Sequence, residues 1–251
     1  MMVVASSDTP GRSSFALLLI PILTAAGWLI SLVLGAAWLL PVLNAAPACW
    51  FMLASLRRGD RRGAIVLMLW WALWLGIAGV GASLLWPARA EMVVFNGDAY
   101  REEMFAWLTT GQGRESSPME FIPQHLLHAA IFVALSLATA STLSILMGCV
   151  LMNYMSFYVA SLILHCSETP AATTAILLGW NPWSMVRVAS FIILGVVLSE
   201  PLLSRMRGHW PDASGRRRWL LVAAAGLLVD IAMKTLLAPM WPGLLASCFT
   251  P

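Results

Sequence analysis

His125 and His128 are the residues of this chain whose type and spacing come nearest to chemistry. A separation of three puts both imidazoles on one helix face, where they could ligate a metal or a haem, relay protons, or hydrogen-bond to a neighbouring segment. A metal would need a third and usually a fourth ligand, and tertiary structure would have to bring in Glu102, Glu103, Glu120 or His165. The spacing is not the H-E-x-x-H of helical zinc sites. Asp230 and Lys234, four apart, share another helix face and can neutralise each other. A lone charge within a span costs about 2.5–3.5 kcal/mol on insertion scales. Asp230 is therefore expected to be paired, with Lys234 or with Arg187 from a neighbouring span, or to serve as a proton or cation site. Lys234, near a span end, can also snorkel to the surface. Asn153 supplies a further buried polar group, Glu200 is expected to face interfacial water, and Arg187 follows the interfacial motif Trp180-Asn181-Pro182-Trp183.

These residues lie in apolar stretches too long for a soluble fold. The chain is 60% hydrophobic and only 11% charged, with a mean hydropathy of +0.80, whereas soluble domains run about 25% charged. A span takes about 20 apolar residues, and residues 14–56, 63–86, 121–166, 182–203 and 219–238 offer two stretches of double length and three of single length. The fold class is an all-α, polytopic transmembrane helix bundle forming one membrane domain over 1–251. The formal charge of +3 is small. Its arginines flank spans rather than forming a groove-sized patch, which argues against a nucleic-acid partner. Cys49, Cys149, Cys166 and Cys248 form no C-x-x-C or other framework and read as packing residues.

The arginines fix an expected topology. Arg57-Arg58-Gly59-Asp60-Arg61-Arg62 and the cluster at 205–218 belong on the cytoplasmic side by the positive-inside rule. Residues 87–120, with three arginines against six acidic residues, then fall outside. The double-length stretches become hairpins, turning near Gly148 and somewhere in 35–47, where Pro41, Asn44 and Pro47 are the turn signals. Seven spans follow, with the N-terminus inside and the C-terminus outside a cytoplasmic membrane. Six is the alternative, if 14–56 is one tilted span plus a re-entrant piece. Small residues at every fourth position, Ser136-Ala140-Ser144-Gly148 and Gly27-Ser31-Gly35, mark expected helix contacts.

The segment 87–120 is expected to be an external amphipathic helical hairpin. Asp98 can cap a helix whose Tyr100, Met104, Trp107 and Leu108 form an apolar stripe, lying on the membrane or against the bundle, and Gly111 and Gly113 end it. Ser117-Pro118-Met119-Glu120 is a capping box opening the next helix. Glu102-Glu103 followed by Phe121-Ile122-Pro123-Gln124-His125 resembles the E-E-x-x-x-R and F-x-x-x-H patterns of intramembrane proteases related to prenyl-protein-processing enzymes. Trp107 stands where that pattern has arginine, and neither His128 nor His165 opens an H-x-x-x-N. The resemblance implies that Glu103 activates water and His125 stabilises an oxyanion.

Two functions from different classes follow. The first is a non-enzymatic membrane component, either a subunit of a larger complex or a small permease, whose partners are the bilayer and other membrane subunits or further copies of itself. A permease would bring Asp230, Arg187 and Asn153 together on a cavity. The second is an intramembrane hydrolase or metal-dependent enzyme, for which Glu102, Glu103, His125 and His128 would have to converge. No motif names a cofactor, and pigment or quinone binding requires none.

Overall fold

Backbone amides inside a bilayer must bond to one another, and a helix does so within a single segment. The computed structural model describes residues 10–166, 169–207 and 213–249, and among them the ordered segments are helices. These are α1 (Pro10–Leu34), α2 (Leu39–Arg57), α3 (Arg61–Leu85), α4 (Pro87–Val93), α5 (Gly97–Thr110), α6 (Pro118–Thr139), α7 (Thr142–His165), α8 (Thr169–Leu178), α9 (Pro182–Arg207), α10 (Ala213–Leu237) and α11 (Trp241–Leu244). Seven segments are long and apolar enough to cross a membrane: α1, α2, α3, α6, α7, α8 with α9, and α10 with the turns after it. The chain is a polytopic membrane protein with seven candidate spans. Residues 208–212 of the second arginine cluster lie outside the described residues.

The first hairpin turn falls within its expected range of 35–47, and the second falls elsewhere than expected. The first occupies residues 35–38, where Gly35 takes φ +64°, a conformation open to glycine without steric cost. Pro41, Asn44 and Pro47 are inside α2 instead, because neighbouring helices can cover the carbonyl a proline leaves unbonded. The second turn is at Ala140 and Ser141, both with positive φ, and not near Gly148. Serines hold it: Ser136 donates to Ser144 at 2.8 Å and Ser141 to the Gly195 carbonyl of α9 at 2.6 Å. The expected ridge from Ser136 to Gly148 is thus two helix ends meeting across a turn.

α7 is the central helix, packed against α2, α3, α5, α6 and α8, while α10 leans chiefly on α9. Toward the arginine-bearing end, Met52, Met68, Leu75, Cys149 and Val196 share one apolar cluster. Two indoles tie the helices there, Trp70 donating to the Leu17 carbonyl and Trp71 to that of Asn44. At that end Arg61 also grips Glu200 through both carboxylate oxygens, one bond 2.9 Å long. Glu200 is buried, so its expected exposure to water is overturned by a partner that sequence distance concealed.

The opposite end carries a helical cap. α5 buries Met104, Trp107 and Leu108 against Tyr158 and Leu162 of α7, Ala175 of α8 and Trp241 of α11. The expected apolar stripe therefore faces the bundle. Gly111, with φ +71°, closes the helix. Asn96 rather than Asp98 precedes its first turn, and Asp98 pairs within it with Arg101 at 3.0 Å. Ser117 and Pro118 do open α6, yet the serine hydroxyl makes no capping bond.

Candidate functional site

The segment from Pro170 to Met206 is one apolar stretch broken nearer its start than its middle. The break is Gly179-Trp180-Asn181, between α8 and α9, and Pro182 at the start of α9 lacks the N–H that would bridge it. The carbonyl of Leu178, released by the break, accepts the Trp241 indole N–H at 3.2 Å. Trp180 fits beside α3 because Gly76 stands there: a β-carbon at that position would lie 3.0 Å from the indole.

One turn beyond the break, Arg187 reaches Asp230 of α10. Its Nε and Nη2 donate to the two carboxylate oxygens at 2.8 and 2.9 Å, the paired geometry that suits guanidinium to carboxylate. Asp230 is 1% exposed, so the bidentate bond is what allows a carboxylate to stay there. Lys234 neither pairs with Asp230 nor snorkels outward. It is 1% exposed, donates to Glu115 at 2.8 Å, and lies 4.5 Å from the centre of the Phe121 ring. The connection between α5 and α6 lays Glu115 over the lysine, while Asp230 is already satisfied by arginine. Sequence reasoning passes over Glu115, since a carboxylate in a polar loop carries no signal until a buried lysine without a partner is placed beneath it.

His125 and His128 do share a face, and both line a cavity of about 190 Å³ between α2, α3, α6, α7 and α9. The His125 Nδ1 lies 2.7 Å from the Phe121 carbonyl. A carbonyl can only accept, so Nδ1 holds the proton and Nε2 is the open position. Nε2 is buried, 3.9 Å from Asp230 and without a hydrogen-bond partner. Arg187, Glu115 and Tyr100 line the same end of the cavity, whereas Met52, Met68 and Met152 line its far wall. Tyr100 donates to the Met155 sulfur at 3.3 Å. Burial, helped by the nearby Glu115 carboxylate, pushes its phenol well above the ordinary value, so the hydroxyl remains a donor at physiological pH.

Other expected convergences do not form. Glu102 is exposed on the outer face of α5, and Glu103 turns to Arg114 at 3.5 Å. Neither lines the cavity. The helical period that buries Met104 and Trp107 directs both glutamates away from the histidines, so the water-activating role implied for Glu103 has no geometric support. Among the described residues no three His, Cys, Asp or Glu side chains are arranged around a common metal position, which leaves His125 and His128 short of a ligand set. Asn153 is buried with its amide unpartnered. Neither Asn153 nor Asp230 lines the cavity, so of the three residues expected to converge there in a permease only Arg187 does.

The site is thus a cavity within the bundle, ionic and hydrogen-bonding at one end and lined by methionine and aromatic groups at the other. Comparison with protein-family models, with curated proteins and with solved structures gives no match for this chain.

Proposed function

We propose that this protein is a small, non-enzymatic permease of a cytoplasmic membrane, with its arginine-rich end and N-terminus inside and its C-terminus outside. The observation that carries the reading is the interrupted span: the break before α9 presents Trp180 to the cavity, and the first turns of α9 present Ser184 and Arg187. Discontinuous helices of this kind form the substrate sites of many secondary transporters, where irregular backbone is tolerated because it borders a cavity. The unpartnered His125 Nε2 offers one hydrogen-bond position to a ligand, and the methionine wall adapts to varied apolar shapes. The substrate that fits is a small amphiphile, its polar group at His125 and Arg187 and its apolar part along α2 and α7. At about 190 Å³ the cavity is below the ~300–1,000 Å³ of sites for drug-sized molecules.

A permease must open its site to each side in turn, whereas a purely structural subunit keeps it sealed. The test replaces Cys49, Cys149, Cys166 and Cys248 with alanine and introduces Ser184→Cys or Gly148→Cys, positions at the two ends of the cavity. A β-carbon at Gly148 would meet nothing within 4 Å, so the larger side chain fits. A membrane-impermeant maleimide is expected to label Ser184→Cys from the capped side and Gly148→Cys from the arginine-bearing side. Absence of labelling at both sites from both sides would reject the permease and favour a subunit.

A further inference from the structure

Arginines from both clusters, far apart in sequence, line one groove. Arg57, Arg58, Arg61 and Arg62 come from the end of α2, the turn after it and the start of α3, and Arg218 of α10 lines the same opening of about 1070 Å³. Among the described residues two carboxylates stand with these five guanidinium groups, and both are engaged. Glu200 is held by Arg61, and Asp60 accepts the Gly63 N–H at 2.7 Å as the cap of α3. Arg62 and Arg218 are exposed and pair with no carboxylate among the described residues. Arg62 and Arg218 therefore leave the described lining of the groove cationic.

Its floor has a different character. Leu56, Ile65, Leu203 and Trp219 line it, and Val66 and Val222 lead outward from it. Val66 is 58% exposed and Val222 44%, and Leu221, 61% exposed, lies with Val222 and Arg218 in an adjoining groove. We propose that this groove is a binding site for an anionic phospholipid, with its phosphodiester between the arginines of α3 and α10 and an acyl chain along Val66, Leu221 and Val222. The planar guanidinium fork matches phosphate oxygens in pairs, and basic pockets between transmembrane helices take anionic headgroups. A free phosphate ion would satisfy the arginines but leaves the apolar path without a purpose. The site is separate from the central cavity and does not depend on the permease reading.

The test uses the full chain in detergent, measured by native mass spectrometry and by thermal unfolding. The additions are phosphatidylglycerol, phosphatidylcholine with the same acyl chains, or inorganic phosphate. Phosphatidylglycerol is expected to bind at low stoichiometry and raise Tm, phosphatidylcholine to do neither, and inorganic phosphate not to displace the lipid. The triple variant R58Q/R62Q/R218Q is expected to bind phosphatidylglycerol about a hundredfold more weakly, and Arg89→Gln at the opposite end to bind it normally. Equal binding of the two lipids by the unaltered protein overturns the proposal without need of any variant. So does unchanged affinity in the triple variant, and displacement by inorganic phosphate overturns the lipid as occupant.

Discussion

The two buried ion pairs near the capped end are built alike but are unequal in what each partner risks. Asp230 is sealed from water and held by a partly exposed arginine, while Lys234 is sealed and held by a carboxylate 19% exposed. Removing one partner of a buried pair is costly chiefly through the charge left behind. Glu115→Gln leaves the enclosed ammonium with a neutral partner and is expected to lower stability by about 3 kcal/mol. Lys234→Met fills the same space with apolar atoms and leaves a carboxylate able to reach water, so its cost should be smaller, about 1 kcal/mol. Unfolding equilibria of the two variants in bicelles check this order; a Lys234→Met protein less stable than Glu115→Gln would mean that Glu115, not Lys234, is the group without access to solvent. Of these groups Asp230, Lys234 and Arg187 are visible in sequence as charges within apolar runs, whereas Glu115 is not, because its role depends on a loop folding over a helix end.

At the scale of elements, close approach of backbones replaces the hydrophobic effect that lipid does not supply. α3 meets α7 at Gly79, where a β-carbon would lie 2.7 Å from that of Ser156 and 3.1 Å from the Trp28 ring. Gly79→Ala is expected to destabilise the bundle by about 1–3 kcal/mol through overpacking. Gly81, on the same helix with nothing within 4 Å of the corresponding position, should tolerate alanine or gain slightly from its better helix propensity. Comparing their thermal midpoints tests the contact: similar losses at both positions would point to a general effect of removing glycine from α3. The interrupted α8–α9 span belongs at this scale as well. Its turn residues are legible in Trp180-Asn181-Pro182-Trp183, but in sequence they look like the surface end of a span. Tertiary packing sets Trp180 against Gly76 and makes the same residues part of a cavity wall.

For the whole molecule, the arrangement of ends is the testable property. The turn at residues 58–60, the end of α9 and the start of α10 lie at one end, and the α5–α6 connection lies at the other. With the natural cysteines replaced, Arg62→Cys is expected to react with an impermeant maleimide only from the cytoplasmic side, and Gln112→Cys only from outside. Both positions are exposed, so lack of access would not be due to burial. Labelling of Gln112→Cys from within would invert the topology and with it the direction of the proposed transport.

The sequence by itself determined that the chain is a polytopic bundle of about seven spans, with six left open, which of its loops are basic, and that 98–110 is amphipathic. Each of these follows from composition and helical period, properties that a segment has regardless of its neighbours. The first tight turn falls within the stretch expected for it, 35–47, although prolines inside α2 imitate turn signals there; the second was not legible, because its hold depends on serine bonds among α6, α7 and α9. The site was half legible. Charges in spans announced themselves through the cost of burying them, but which charge meets which was decided by packing: Asp230 went to Arg187 across two helices, Lys234 to Glu115 in a loop, and Glu200 to Arg61 at the far end. Only the tertiary structure could turn both glutamates of α5 away from His125, since burial of Met104 and Trp107 fixes the rotation of that helix, and only it could bring arginines from α3 and α10 into one groove.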